Sequence, residues 1–580
     1  MNKTIKCSAI LLLAVNFVVA SSYAQNSKPS IEIRYDNQMA AAADKRAVAA
    51  AIEILNKGGS AVDAAVALET TLSLVEPQSS GIGGGGFMIH YDPNAEEGQQ
   101  VASYDGRETA PMAVGPELFK HVYENPDKSF NDAVLGGQSV GTPGVLKMLS
   151  LAHSKHGQLP WEELFAPAIR LAEDGFIVSP RLYWLVDRDK LIRKGSEARN
   201  YFFDQDGNAH KTGHLLKNPK YAAVLKRIAS EGVDAFYTGE IAEKVADAVQ
   251  IAENYPSKLS VEDLASYQAK EREIICGPYH QYKVCSMPSP SSGGHTIIAS
   301  LGMLERFNIN EMEPYSVEAM HLILEAQRLA FADRNQFSGD SDFVNVPIKG
   351  MVDTDYLAER SKIINPDKSM GIAQHGNPPS EMVLDLAADQ SIEIPSTTHF
   401  VITDKWGHVV SMTATVESAF GSRVMVEGFF LNNELTDFSL VPEVDGKLVN
   451  NRVEGGKRPR SSMTPSIVFD DQMRPVLVIG SPGGANIIGY VTQTVINVLD
   501  WGMDMQTAIN APNILNKNGT SLIERGTDAM RLLGPLRALG HEAEEAGLNS
   551  GLHGMIIKYN ENGRTLDGGA DLRREGVVSK

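Results

Sequence analysis

Cysteine is scarce in this chain, with three in 580 residues. No Cys-x-x-Cys occurs, which leaves no cysteine-based zinc site. An excess of cations is missing too. Lys and Arg number 53 against 72 Asp and Glu, a formal charge of −19. No surplus is available to neutralise phosphates, so the composition argues against nucleic acid as a partner. The same balance disfavours an anionic membrane surface. No run of 18 apolar residues reads as a spanning helix. The 51 Gly show no three-residue period, which removes a collagen-like fibre. What remains, 43% hydrophobic and 22% charged residues, is an ordinary globular composition. Length alone allows about four domains.

Residues 1–24 read as a secretory leader. Lys3 and Lys6 give the cationic start and 7–20 the short apolar stretch. Ser22 and Ala24 are small residues at the positions a signal peptidase reads. Removing this segment takes away two Lys and no acid, so the formal charge becomes −21. The expectation is an exported chain, periplasmic or extracellular, with no membrane attachment afterwards. Cys276 and Cys285 remain. They flank five residues that suit a hairpin, and export permits a disulfide. Two separate thiols are the alternative.

Helical patterning runs over 38–75, broken at Gly58-Gly59. Ser60 and Asp63 resemble a capping box for the second helix. Further helices are expected at 144–156, 161–174, 220–231, 239–252, 295–307 and 316–333. Strands are expected near 87–91, 100–104, 282–287, 398–404, 408–415, 465–469 and 476–480. Their interleaving predicts one α+β body with layered αββα architecture. Residues 365–396 have no aromatic and carry Pro366, Pro378, Pro379 and Pro395. So long a poorly patterned stretch inside a compact body is often functional. It ends where a strong strand pattern begins.

Three motifs compete as decoys. Gly81 to Gly86 satisfy GxGxxG, but a helix precedes and a strand follows, the reverse of a dinucleotide site. The plainer reading is a turn that brings backbone close to something. Gly137-Gln138-Ser139-Val140-Gly141 satisfies GxSxG, which would need an acid and a His later in the chain, such as Asp333 and His399. His153 and His156 have metal-like spacing at a helix end but no third ligand. Solvated histidines near a helix C-terminus are the plainer reading.

The pair 397–404 and 408–415 is more informative. Two β-rich runs flank Lys405-Trp406-Gly407, a three-residue hairpin turn with glycine in the left-handed position. If Asp404 and His408 close the turn, pairing outward places Thr397 opposite Thr415. Opposed residues have Cβ atoms about 4.5–5.5 Å apart, so one hydroxyl can reach the other. Paired threonines also simply stabilise hairpins.

This stretch resembles the start of the small subunit of the gamma-glutamyltranspeptidases, a family of N-terminal nucleophile hydrolases. The resemblance covers nearly the whole chain after the leader. It is carried by 76–87 (Glu-Pro-Gln-Ser-Ser-Gly-Ile-Gly-Gly-Gly-Gly-Phe), 105–111 (Asp-Gly-Arg-Glu-Thr-Ala-Pro) and 139–144 (Ser-Val-Gly-Thr-Pro-Gly). Also matching are 286–294 (Ser-Met-Pro-Ser-Pro-Ser-Ser-Gly-Gly), 431–438 (Leu-Asn-Asn-Glu-Leu-Thr-Asp-Phe), 457–465 (Lys-Arg-Pro-Arg-Ser-Ser-Met-Thr-Pro) and 480–484 (Gly-Ser-Pro-Gly-Gly).

The resemblance implies a four-layer αββα fold and self-cleavage between Ser396 and Thr397. The products would be 25–396 and 397–580, forming one intertwined heterodimer. It implies Thr397 as nucleophile, Thr415 as the residue that orients it, and Gly483 and Gly484 as the oxyanion hole. Arg107, Ser461 and Ser462 would grip the α-carboxylate of a γ-glutamyl compound such as glutathione. Glu417, Glu434 and Asp437 would surround its α-ammonium. Water, amino acids or dipeptides would accept the acyl group. No cofactor and no metal are implied. Departures are present. Glu417 and Glu434 replace amides common in relatives, and Asn513 replaces an Arg. Arg460 stands where Leu is usual; it either adds a cation near the carboxylate site or points to solvent, and solvent is the expectation. The stretch 440–456 is short for a lid and lacks an aromatic gate.

Competing readings are an acylase on the same fold that opens glutaryl-type amides, a non-catalytic peptide- or glutathione-binding protein, and a serine esterase acting through Ser139.

Overall fold

The computed structural model describes residues 37–380, 386–389, 391–394, 396–561 and 563–580. The leader expected at 1–24 lies outside them.

Thirteen strands build two sheets. In chain order they are β1 (Met39–Ala42), β2 (Gly85–Tyr91), β3 (Val101–Asp105), β4 (Lys270–Arg272), β5 (Ile275–Tyr279), β6 (Tyr282–Ser286), β7 (Thr398–Thr403), β8 (Val409–Thr415), β9 (Ser466–Phe469), β10 (Pro475–Gly480), β11 (His553–Asn560), β12 (Gly563–Ala570) and β13 (Val577–Ser579). The first sheet runs β13-β1-β7-β8-β2-β3-β4, and the second runs β12-β11-β10-β9-β6-β5. Neighbours within both sheets pair antiparallel. Six helices matter most: α1 (Lys45–Asn56), α2 (Ala61–Val75), α3 (Val145–His156), α4 (Gly293–Leu304), α5 (Val317–Phe337) and α6 (Asn486–Leu499).

The period-2 alternation of the central strands sorts side chains into two cores. Phe400, Ile402, Val410 and Met412 join the residues of α1, α2 and α3 on one side. Val401, Val409, Phe87 and Ile89 face the second sheet, whose Ile467, Val468, Leu477 and Val478 pack on to Ile297, Leu329 and Ile488 of α4, α5 and α6. The order is helices, sheet, sheet, helices, the expected αββα sandwich. All fifteen residues of α2 are buried, because helices cover it on one side and the sheet on the other.

Local chemistry explains the element ends. Ser60 Oγ accepts from the Asp63 N–H at 3.2 Å, and Asp63 accepts from the Ser60 N–H at 2.9 Å. The capping box starts α2 as predicted. Residues 39–42 differ from expectation. They form β1, not the first turn of a helix, and helix α1 begins only after Asp44 caps it. Alanine propensity here is overridden by pairing with β7 and β13. Residues 161–174 begin with a 3₁₀ turn, Trp161–Phe165, before the helix Ala166–Asp174. Cys276 and Cys285 face each other across the β5–β6 hairpin and form a disulfide.

Candidate active site

The β7–β8 hairpin brings Thr397 and Thr415 together. Its register runs from Thr403↔Val409 to Thr398↔Ala414, so one more step places Thr397 across from Thr415. The two hydroxyls share a hydrogen bond of 3.0 Å. Gly407 takes φ +92° in the turn, the left-handed position only glycine adopts without strain. The Glu417 N–H donates to Thr415 Oγ1 at 2.8 Å. Thr415 Oγ1 is thus held by two contacts, one to the Glu417 N–H and one to the Thr397 hydroxyl.

Thr397 is itself unusual. Its φ is +83°, a region that a β-branched side chain strongly disfavours. Such strain costs on the order of 1–3 kcal/mol. Arg574 Nη1 donates to the Thr397 carbonyl at 3.0 Å, and Ser396 Oγ donates to the Gln78 carbonyl at 3.0 Å. The bond between 396 and 397 is therefore gripped from both sides.

An acidic wall stands beside this pair. Glu434 and Asp437 lie on one 3₁₀ turn, Glu434–Asp437, and Glu417 follows the end of β8 at a φ of +74°. Arg107 reaches them from just after β3. Its Nη1 donates to Glu434 and its Nη2 to Asp437 at 2.5 Å. The same side chain donates to the carbonyls of Pro459 at 3.1 Å and Arg460 at 2.9 Å. Glu108 lies 3.9 Å from the guanidinium. One cation thus serves several buried acids, and like charges in one site cannot all ionise. Burial pushes Asp437 up to about 8; Glu434 and Glu393 add to this, and Arg107 opposes it. Burial, then Asp437 and Glu434, raises Glu417 well above the usual carboxylate range. Glu434 rises through burial, against the pull of Arg107.

A cationic wall faces the acids. Ser461 and Ser462 follow Arg460, whose expected solvent-pointing position is overturned. Arg460 is 1% exposed and pairs with Asp389 at 2.9 Å and Glu393 at 3.1 Å. Both partners come from the stretch just before Thr397. Arg334, from α5, donates to Glu393 and to Ser462 Oγ at 2.6 Å, and Ser462 Oγ donates to Glu393. Burial raises Glu393, but Arg334 and Arg460 outweigh it and hold the carboxyl at about 2. Ser461 Oγ accepts from the Met463 N–H at 3.1 Å.

Gly483 and Gly484 close the site at positive φ, +142° and +57°. A Cβ on Gly484 would lie 3.0 Å from the Ile394 carbonyl oxygen and 3.1 Å from that of Glu393. Glycine lets the 393–394 segment pass directly over it. Arg107, Glu393, Thr397, Thr415, Glu417, Glu434, Asp437, Ser462 and Gly484 line one cavity of about 20 Å³. That is room for one water.

The decoys fall elsewhere. Gly83 and Gly84 abut the carbonyls of Phe430 and Thr415, where a Cβ would sit 2.1 and 2.0 Å away. The glycine run therefore serves close backbone approach. Ser139 lies on a buried 3₁₀ turn and donates to the carbonyls of Val134 and Gly136. His399 bonds Thr413 and Asp333 bonds Arg360, so no triad assembles on Ser139. His153 contacts the Leu159 carbonyl and His156 the Tyr104 hydroxyl; both are half-buried instead of solvated. His321, Glu325 and His541 converge within 4.8 Å. The two histidines bond each other at 2.7 Å, and Glu325 accepts from Arg328, Ser369 and Met370.

The model of the gamma-glutamyltranspeptidase family matches residues 47–580. The chain belongs to this family. It is 36% identical over 100% of its length to the glutathione hydrolase proenzyme of Bacillus subtilis (strain 168), covering 99% of that protein. It is 37% identical to the glutathione hydrolase proenzyme of Escherichia coli (strain K12), covering 83% of this chain and 81% of that one. Among solved structures, the cephalosporin acylase of Bacillus halodurans superposes with a TM-score of 0.79 at 26% identity, over 94% of this chain and 96% of that one. The fold is the α+β sandwich of the N-terminal nucleophile hydrolases, and this gamma-glutamyltranspeptidase family member is an enzyme.

Sequence reasoning assigned no role to Asn433, although it lies in the 431–438 motif, and missed Arg334, Glu393 and Arg574. Asn433 bonds Glu417 and accepts from the Ser418 N–H at 2.9 Å. The last three carry no local signal. Arg334, Glu393 and Arg574 meet their partners across the fold.

Proposed function

We propose that the chain is a self-processing γ-glutamyl transferase and hydrolase with Thr397 as its nucleophile. The 3.0 Å contact between the Thr397 and Thr415 hydroxyls, at the edge of a cavity with one acidic and one cationic wall, carries this reading.

In the precursor, Thr397 Oγ attacks the Ser396 carbonyl carbon. The C–N bond breaks, the hydroxyl proton goes to the departing amine, and an ester joins 396 to the Thr397 side chain. Water then opens the ester. The strained φ of Thr397 favours this step, because the torsion no longer exists once the peptide bond is gone. The products are 25–396 and 397–580. They stay together because β1 pairs with β7 and β13, so the two chains share one sheet.

Cleavage frees an α-amine whose pKa is ordinarily about 7.7–8.0. It sits on the residue whose hydroxyl it must activate, the N-terminal threonine form of nucleophile activation. Thr397 attacks the γ-amide carbonyl of a donor such as glutathione. The N–H groups of Gly483 and Gly484 receive the developing oxyanion, fixed in place before charge appears. The acyl-enzyme yields glutamate with water, or a new γ-glutamyl amide with an amino acid or dipeptide. Glu417, Glu434 and Asp437 suit the α-ammonium. Arg107 matches the family arginine for the carboxylate, with Ser461 and Ser462 beside it.

The leader pattern and the β5–β6 disulfide support export; no helix among the described residues is long and apolar enough to cross a membrane. The deciding assay offers the cut enzyme γ-glutamyl anilide and glutaryl anilide, which lacks the α-ammonium. Strong preference for the first supports the γ-glutamyl reading. Equal rates would move the chain to the acylase reading, which the likeness to a cephalosporin acylase favours.

A further inference from the structure

We propose that Arg574 is a positioning residue for the nucleophile: its guanidinium fixes the backbone of Thr397 and keeps a positive charge beside the α-amine that cleavage frees. The inference rests on the reading of Thr397 as an N-terminal nucleophile.

The 3₁₀ turn Leu572–Arg574 brings the side chain in. Asp571 caps that turn, accepting the Arg573 N–H at 2.9 Å. Arg574 is buried. Its Nη1 donates to the Thr397 carbonyl at 3.0 Å and its Nη2 to the Asn549 carbonyl at 3.1 Å. A planar fork anchored on two carbonyls has little freedom to turn. A Cβ on Gly551 would lie 2.8 Å from Arg574 Cδ, so the stem is packed as well. The positive φ of Thr397 is a conformation that persists only where the surroundings over-determine it, and this fork is one of the restraints. It outlasts maturation. Thr397 and Arg574 both belong to 397–580, so the cut leaves their contact whole.

The guanidinium is short of anions. Its Nε, buried too, meets no acceptor. Glu76 pairs with Arg181 at 3.4 Å, and Asp571 spends its oxygens on Ser550, Leu552 and Arg573. Burial lowers Arg574 to about 10; Arg181 adds to this, while Glu76 and Asp571 oppose it. At neutral pH the group is still a cation. Covalent geometry puts the Thr397 nitrogen within about 4 Å of its own carbonyl oxygen, and so within about 7 Å of that cation. A like charge so close inside a protein disfavours an ammonium.

The other groups around Thr397 offset this little. Glu417, Glu434 and Asp437 face it with carboxyls raised above their usual range, and Arg107 pairs with the last two. Glu393 answers to Arg334 and Arg460. Glu76, raised to about 7 by burial, is shared with Arg181. Tyr490, from α6, is kept neutral by burial. Arg574 thus favours the unprotonated amine, the form that can take the hydroxyl proton of Thr397.

Competitive acetylation of the small chain's N-terminus, read by mass over a pH series, titrates this amine without turnover. In Arg574→Gln, which keeps an N–H donor but no charge, the amine should titrate about one pH unit above wild type. Arg574→Lys, which keeps the charge, should titrate with wild type. With γ-glutamyl anilide, Arg574→Gln should lose up to about tenfold in kcat near pH 7 and regain it near pH 9. KM should stay the same. A mature Arg574→Gln enzyme whose amine titrates with wild type overturns the proposal, as does a loss of kcat that alkaline pH leaves in place.

Should Arg574→Gln stay uncut, Arg181→Gln takes its place. That change frees Glu76 to neutralise Arg574, so the amine should move up in the same direction, and an unmoved amine overturns the proposal. A wild-type chain that is never cut at 396–397 removes the N-terminal-nucleophile reading and this inference with it. A cut wild type beside variants with an unmoved amine removes this inference alone.

Discussion

Thr415 Oγ1 stands 3.0 Å from Thr397 Oγ1 and accepts the Glu417 N–H at 2.8 Å. The strand end, the second hydroxyl and the first residue of the acidic wall are thereby tied into one unit. Positioning of this kind is worth much in catalysis, since a misplacement of about 1 Å can cost on the order of 10²-fold.

Thr415→Val should therefore slow both self-cleavage and turnover by roughly 10–100-fold, mostly in kcat, while Thr415→Ser should keep most of both. Steady-state kinetics and gel analysis of maturation check this. A change confined to KM would assign Thr415 to substrate binding instead.

The acidic wall predicts the pH profile. Asp437 is pushed up to about 8 by burial, with Glu434 adding to it. It must ionise to hold an ammonium, so kcat/KM should rise with pH between about 6 and 9. The free amine of Thr397 titrates over the same range, about 7.7–8.0, and moves the rate the same way. Glu434→Gln separates them. Removing one acid lowers the proton affinity of the others and should shift the limb to lower pH. A limb that stays put belongs to the amine.

Glu69 predicts a stability slope away from the site. It lies inside α2 with neither oxygen hydrogen-bonded, and burial raises its carboxyl from 4.5 to about 8. A folded-state value above the unfolded one means that stability is full below about 4.5 and falls as pH rises towards 8. Each tenfold change in proton affinity corresponds to about 1.4 kcal/mol. Glu69→Gln should leave the melting temperature near pH 4 little changed and raise it at pH 8. Equal shifts at both pH values would contradict this.

Gly484→Ala should retard maturation. Its Cβ would press on the Ile394 and Glu393 carbonyls, at a φ of +57° that side chains avoid. The cut fraction after expression reads it out.

Local patterns exposed much of this architecture. The β7–β8 hairpin was legible because its turn chemistry fixes the register, and register fixes which threonines face each other. The capping box at Ser60 was legible because both halves lie within four residues. Residues 39–42 misled because a methionine and three alanines carry little strand signal, and only pairing with β7 and β13 makes them a strand. The expectation for Arg460 failed for a related reason. Its partners Asp389 and Glu393 lie in 365–396, where no periodicity says which side chains turn inward. Arg334, Arg460 and Glu393 come from three distant parts of the chain, and only the folded sandwich brings them together.

The central claim is that Thr397 is both the cleavage point and the nucleophile. Intact-mass measurement of the purified protein, beside its Thr397→Ala variant, tests it most directly. The account predicts two chains for the wild type, the smaller beginning at Thr397 and gaining the mass of a γ-glutamyl group when trapped with donor. The variant should remain one uncut chain and take up no label. A wild-type chain that stays whole on incubation, or a variant that is still cut at the same bond, would contradict it.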